Sequence, residues 1–309
     1  MWTMFYKVRT ESKELKIMKS LNARKNLADK EVRYFSNLRK GYEGEKHFDQ
    51  LLGEGLQCDC LILCDLLLQI NNSTFQIDSL VITSNKIFAY EIKNHEDDFI
   101  YDGKNKRMFK KPDYEVPDPY IQLKKNDQLL RKWLQEKGFG DISLVYYVAF
   151  VNPRFTLYQA SPDLPFIFPT QLQRDVIETL NSNSSKLTGR HKRLADQLIN
   201  SHIIDPPYSQ VPTYSYEELR KGITCAQCNL ISVFIEGVDC ICRNCGNKEK
   251  LRDAVVRSAE EYRLLFPNQR ITTNVLQEWC EVIENKRRIS RILMKNYKRI
   301  GTSRWTYFE

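Results

Sequence analysis

Two β-rich stretches, Phe75-Gln-Ile-Asp78-Ser-Leu-Val-Ile-Thr83 and Lys86-Ile-Phe-Ala-Tyr-Glu91-Ile-Lys93, meet at the polar break Ser84-Asn85. Arms of this composition around a short polar break predict a β-hairpin. With the turn tip at Ser84-Asn85, antiparallel partners have numbers summing to 169, which sets Asp78 opposite Glu91. Their Cβ atoms are then roughly 5 Å apart. Period-two alternation puts Lys93 on the face of Glu91, one step along, and turns Ile77 and Ile92 to the opposite, buried face.

The remaining pattern is mostly helical. Residues 10–40, rich in Lys, Arg, Leu and Glu, predict a basic helical arm ending near Gly41. Gly41-Tyr-Glu-Gly44-Glu45 opens a second helix with Phe48, Leu51 and Leu52 on one side, stopped by Gly53 to Gly55. A strand over 61–70 precedes the hairpin, with Asn71-Asn72 as its turn. Residues 97–119 predict a long loop or small hairpin, and Gln122 to Lys137 a helix with Leu123, Leu129, Leu130 and Trp133 as its apolar positions. Leu144 to Phe150 reads as a buried strand ending at Asn152-Pro153. Residues 171–204 predict two helical pieces around the polar run 181–185, and Pro206-Pro207 to Pro212 a linker. This order implies an α/β core of roughly 170 residues with small modules after it.

The 309 residues are 42% hydrophobic, enough for a packed interior, and carry a net charge of +8. That charge is uneven. Residues 1–40 hold 11 basic and 4 acidic groups, residues 41–242 hold 21 and 27, and residues 243–309 hold 15 and 8. Basic ends suit a polyanion and an acidic middle suits metal ions. Nine cysteines without a disulfide-like spacing point to a reducing compartment. Cys58, Cys60, Cys64 and Cys280 lie in apolar surroundings and read as packing residues. No apolar leader is apparent, and the greasy run Leu61 to Ile70 is broken by Asp65 and too short for a bilayer. A soluble, cytoplasmic protein with no membrane partner is expected.

An acid followed by Glu-x-Lys is a weak pattern alone, but charged groups in an apolar strand sit at its end or in a functional cleft. Two carboxylates within reach of one divalent cation, with an ammonium beside them, suit phosphodiester hydrolysis. His47 and His95 flank the motifs and read as polar neighbours. Four ordered motifs carry a resemblance. They are Gly41-x-x-Gly44-Glu45 with Phe48; Gln76-Ile-Asp78; Glu91-Ile-Lys93-Asn94; and Pro119-Tyr-Ile-Gln122 followed by Asn126 and Leu129. Together, over about residues 41–151, they resemble a NERD (nuclease-related) domain, a branch of the restriction-endonuclease-like PD-(D/E)xK superfamily. Ile77 stands where the superfamily's name has proline, and residues 97–118 match no motif.

The resemblance implies a restriction-endonuclease-like mixed sheet flanked by helices. It implies that Asp78, Glu91 and the backbone carbonyl of Ile92 bind Mg²⁺ or Mn²⁺ through hard oxygen ligands. Lys93 would orient or help deprotonate the attacking water. Glu45 would add a carboxylate through a water, and Gln122 would position a phosphate or a ligating carboxylate.

Cys225-Ala-Gln-Cys228 and Cys242-Arg-Asn-Cys245-Gly246, 13 residues apart, resemble the two knuckles of a zinc ribbon. Gly246 completes the second knuckle, and Cys240 is a competing ligand. The zinc would be structural, with rubredoxin-type iron as the alternative. Residues 271–300 suggest a helix-turn-helix, with Val275, Leu276, Trp279 and Ile283 on one apolar stripe and Ile289, Ile292, Leu293 and Tyr297 on the next. Asn285 takes the left-handed position in the turn. Arg288, Arg291, Lys295 and Lys298 form a basic edge for phosphates, or else a solvated face. Gly301 to Phe308 reads as a small strand or wing.

The segments are therefore a basic arm (1–40), a nuclease-like domain (41–212), a small β zinc ribbon (213–250) and a basic helical module (251–309). The reading is an Mg²⁺- or Mn²⁺-dependent DNA endonuclease. The rival is a non-catalytic nucleic-acid-binding or regulatory protein on a nuclease-like core. RNA as substrate and homo-oligomerisation are left open.

Overall fold

A computed structural model describes residues 4–206, 210–302 and 305–309. Residues 207–209 of the expected linker and residues 303 and 304 of the expected wing lie outside them. By contacts the chain divides into two compact units, residues 1–10 with 37–207 and residues 11–36 with 208–309. The expected basic arm is thus shared between the units.

The first unit is built on a six-stranded mixed sheet. Its strands are β1 (Phe5–Lys7), β2 (Leu61–Ile70), β3 (Ser73–Ile82), β4 (Lys86–Lys93), β8 (Ser143–Phe150) and β10 (Phe166–Ile167), in the order β1-β2-β3-β4-β8-β10. β2, β3 and β4 form an antiparallel meander, while β1, β8 and β10 join in parallel. The segment expected as a loop or hairpin forms β5 (Asp97–Asp102), β6 (Arg107–Lys110) and β7 (Tyr114–Val116), which with β9 (Phe155–Tyr158) make a second sheet, β7-β6-β5-β9.

Helices cover both faces of the large sheet, as the run of β-branched and aromatic residues in its central strands requires. One core gathers Leu80, Ile82, Ile87 and Ala89 with Leu123, Leu130 and Trp133 of α3 (Pro119–Glu136) and Leu194 and Leu198 of α5 (Gly189–Asn200). The other gathers Val81, Phe88 and Tyr90 with Phe48 and Leu52 of α2 (Asp29–Gly55), and with Leu172 and Val176 of a π-helical stretch, Leu172–Glu178, that continues into α4 (Thr179–Asn183). α3 starts where its sequence directs: Pro119 occupies the first turn and the Asp118 side chain accepts from the Tyr120 N–H.

Two local expectations are corrected. The arm does not end at Gly41. α1 (Lys13–Arg24) closes early, and α2 starts at Asp29 and runs through both Gly41 and Gly44. A glycine in a helix interior costs about 1 kcal/mol, and Gly44 is there for space. A Cβ on it would lie 2.4 Å from the Asn94 Cβ, while one on Gly41 would meet nothing within 4 Å. Ile77, expected on the opposite face from Leu80 and Ile82, shares their core, and Ile92 lies in the other. Leu63 pairs with Leu80 and Leu66 with Ile77, so alternation inverts in both strands at the same level. Asp65 lies at that level with φ +53°. One left-handed residue therefore reverses the phase of the sheet without changing its register.

In the second unit, α1, α6 (Leu251–Leu265), α7 (Thr273–Cys280) and α8 (Lys286–Asn296) accompany a three-stranded antiparallel ribbon, β11 (Val233–Glu236), β12 (Asp239–Cys242) and β13 (Lys248–Lys250). Short strands β14 (Arg299–Ile300) and β15 (Tyr307–Phe308) pair antiparallel after α8. The turn between α7 and α8 uses different residues from those expected. Glu281, with φ +54° and ψ −53°, is the centre of a tight turn in which the Val282 N–H returns to the Cys280 carbonyl at 2.6 Å, and Asn285 is the N-cap of α8, accepting from the Arg287 N–H. Asn285 has the side chain for either task, and capping satisfies a helix donor that otherwise has no partner. Buried Arg24 of α1 ties this unit together. Its guanidinium lies 3.8 Å from the centre of the Trp279 ring, pairs with Glu261 at 2.6 Å and donates to the carbonyls of Arg220 and Gly222.

Among the described residues, no helix is long and apolar enough to cross a membrane.

Candidate functional site

Ser79 pairs with Tyr90 and Leu80 with Ala89, the register of 169 that the turn at Ser84-Asn85 demands. The ladder stops there. One step further, β3 and β4 have parted enough for the Asp78 carboxylate to accept from the Ile92 N–H at 2.7 Å. The inversion beside Asp65 falls at this level, so the strand distortion and the separation that frees Asp78 coincide. Asp78 and Glu91 are 7% and 2% exposed, too dry for two unpaired carboxylates.

Cations and amides answer them. Lys93 Nζ lies 2.8 Å from Glu91 Oε1 and 3.0 Å from Gln122 Oε1, so the first residues of α3 are joined to the end of β4. Asn126, one turn along α3, donates to the Gln76 carbonyl at 2.9 Å and lies 3.5 Å from Glu91 Oε2. Glu45 of α2 is bound not to the strand residues but to Arg9, at 2.6 Å. Arg9 also chelates Asp49 and donates to the Asp78 carbonyl. Arg9, Asp49 and Asn126 are the members of this cluster to which the sequence motifs assign no charge-pairing role. Asn126 belongs to the motif that opens at Pro119. Arg9 leaves no local signal, since its partners lie 36 to 69 residues away.

The electrostatics follow from burial. Burial pushes Glu91 up, to about 7, and neighbouring Asp78 adds to it, while Lys93 pulls the other way. Burial and Asp78 push Glu45 up to about 8 against the pull of Arg9. Asp78 is raised by burial against the opposing effects of Lys93, the Ile92 N–H and Arg9. Burial would lower Lys93, but Glu91 and Asp78 more than offset it. Glu45, Asp78 and Glu91 are thus held above the ordinary carboxylate range, the condition a cation relieves. Hard oxygens on Asp78 and Glu91 suit Mg²⁺ or Mn²⁺. His47 is exposed. His95, stacked on Phe99 at 5.1 Å, is pushed down to about 4 by burial and nearby lysines, and is a neutral packing group at pH 7.

Residues 40–151 match the family model of the nuclease-related domain, NERD. This stretch is a nuclease-related domain. No curated protein and no solved structure matches the chain. The nuclease-related domain holds Glu45, Asp78, Glu91, Lys93 and Gln122 within its bounds and leaves out Arg9.

A second cluster lies in the other unit. Among the described residues, Cys225, Cys228, Cys242 and Cys245 form the one group of metal-ligating side chains whose ligand atoms all lie within 4.8 Å of one another. Cys225–Cys245 and Cys228–Cys242 sulfur distances are both 3.6 Å. Metal–sulfur bonds of about 2.3 Å in a tetrahedron imply sulfurs about 3.8 Å apart, so the four thiols fit one tetrahedral ion. The knuckles are alike. Asn229 and Gly246, each following a second cysteine, have φ +61° and +72°, and each N–H returns to the carbonyl of the first cysteine at 3.0 Å. Asn and Gly are the residues that take this conformation most cheaply. Cys240 is outside the group, on the central strand opposite Ile235 and Glu249.

On α8, Arg291 and Lys295 are exposed, as is Lys298 just beyond the helix, while half-buried Arg288 donates to the Gly237 carbonyl of the ribbon. Arg287, which the expected basic edge omitted, is exposed one turn before Arg291.

Proposed function

We propose that this chain is a metal-dependent endonuclease that hydrolyses DNA phosphodiester bonds. The observation that carries the reading is the buried set Asp78, Glu91 and Lys93 at the parting of β3 and β4, inside the nuclease-related domain. Asp78, Glu91 and the Ile92 carbonyl would hold Mg²⁺ or Mn²⁺. A divalent cation so held supplies Lewis-acid polarisation of the phosphate and an acidified water. The Ile92 N–H holds one oxygen of Asp78, so the other would be the one to meet the ion. Lys93, kept protonated by the two acids, orients the attacking water and offsets negative charge developing on the phosphate. Gln122 holds the Lys93 ammonium from the start of α3, and Asn126 steadies Glu91.

The four cysteines bind structural zinc, since a Cys₄ site offers no open position for substrate. Arg291, Lys295 and Lys298, with Arg288 beside the ribbon, meet the DNA backbone through charge.

Purified full-length protein incubated with supercoiled DNA, linear DNA, single-stranded DNA and RNA, with Mg²⁺, Mn²⁺ or EDTA, tests the reading. Cleavage of DNA that needs the divalent cation and disappears in Asp78→Asn and Glu91→Gln supports it. DNA binding without cleavage across all metals and substrates would instead establish the non-catalytic rival.

A further inference from the structure

The Glu45 side of the cluster already holds a fixed positive charge. Arg9 comes from outside residues 40–151, and its side chain is 3% exposed. Its Nη1 lies 2.6 Å from Glu45 Oε2, its Nε and Nη2 lie 2.7 and 3.1 Å from the Asp49 carboxylate, and Nη2 also lies 2.7 Å from the Asp78 carbonyl oxygen. A guanidinium remains charged at any working pH and grips carboxylates through a rigid fork, so it is a permanent occupant.

Charge balance points the same way. With their carboxyls ionised, Glu45, Asp49, Asp78 and Glu91 face Arg9 and Lys93, leaving two negative charges. Adding Asp65 together with Lys7, whose ammonium sits on the Asp65 carbonyl, leaves the same two. One divalent cation neutralises that remainder. A second would leave buried positive charge without a partner, which low-dielectric surroundings penalise heavily.

We propose that Arg9 stands in the place of a second cation, so that the site takes one divalent ion, with Glu45 as a positioning group tied to Arg9 and not a ligand. This rests on the metal-dependent nuclease reading. It also makes the segment before the nuclease-related domain part of its site.

The test is Mn²⁺ titration of the zinc-loaded full chain, followed by the electron paramagnetic resonance of free Mn²⁺ and by calorimetry, with no nucleic acid present. One Mn²⁺ per chain is expected, absent in Asp78→Asn and retained at one in Glu45→Gln and Arg9→Lys. Arg9→Gln, which frees Glu45 and Asp49, is expected to bind a second Mn²⁺ or to bind the first more tightly. Two ions on the wild-type chain, or loss of the single ion in Glu45→Gln, overturns the proposal, as does Arg9→Gln with unchanged number and affinity. If Arg9→Gln does not fold, as its circular dichroism would show, the wild-type number and Glu45→Gln still decide. No Mn²⁺ site at all on the wild-type chain is a different failure, that of the metal-dependent reading itself.

Discussion

Gly44 shows how a single missing methyl group can set the position of a site. Its Cα side faces Asn94, whose amide donates to the Lys40 carbonyl at 2.7 Å and accepts from Asn152 at 3.1 Å. Asn94 follows Lys93 directly, so a side chain on Gly44 would push α2 away from the end of β4. Gly44→Ala is expected to cost about 1–3 kcal/mol by overpacking, read by urea denaturation, while Gly41→Ala, in open space, is expected to be neutral or stabilising. Equal effects at the two glycines would refute the packing explanation. Lys93→Ala is expected to slow cleavage by about 10²–10⁴-fold while Mn²⁺ remains bound. Retained cleavage with retained metal would remove Lys93 from the chemistry. At this scale the sequence was legible where interactions were local. The two-residue break at Ser84-Asn85 gives by counting alone the register that holds from Ile82–Ile87 to Ser79–Tyr90, but not the parting that follows, where Asp78 turns to the Ile92 N–H instead of pairing with Glu91. Arg9 was not legible, because a contact across 69 residues leaves no periodic trace. Nor was the phase inversion at Asp65, since an aspartate at positive φ is allowed but uncommon.

Among the elements, the ribbon is the most self-explanatory. Two Cys-x-x-Cys knuckles, each followed by Asn or Gly, contain both the ligands and the backbone turns that aim them. One zinc per chain is expected from metal analysis, and Cys228→Ser is expected to lose it with a lower unfolding temperature; a metal-free wild type would contradict the site. α8 is legible as an amphipathic helix, but the choice between turn and cap for Asn285 is not, because Asn favours both settings. Its exposed edge runs through Arg287, Arg291 and Lys295 to Lys298 beyond its end. Reversing Arg291, Lys295 and Lys298 to Glu is expected to weaken DNA binding and flatten its dependence on log salt by about 0.9 per lost phosphate contact. An unchanged slope would make this edge merely solvated. Helix α1 has a structural task that its basic composition concealed. Arg24→Ala leaves Glu261 without its buried partner and is expected to cost about 3–5 kcal/mol, measured by chemical denaturation.

Over the whole molecule, the net charge of +8 belongs to one unit. Residues 1–10 and 37–207 carry 23 basic and 23 acidic groups, whereas residues 11–36 and 208–309 carry 24 and 16. The nuclease-related domain therefore lies in a unit with no net charge to attract a polyanion. The excess of basic groups, 24 against 16, lies in the other unit. Binding and cutting are accordingly expected to separate on mutation: charge reversals on α8 raise the DNA concentration needed, while substitutions at Asp78 stop cutting with binding retained. The most direct measurement is the single-turnover cleavage rate of saturating DNA by the full chain in Mn²⁺, wild type beside Asp78→Asn, with both proteins shown folded by thermal unfolding. A fall of about 10³-fold or more in the folded variant is expected; a rate unchanged by Asp78→Asn would contradict the site.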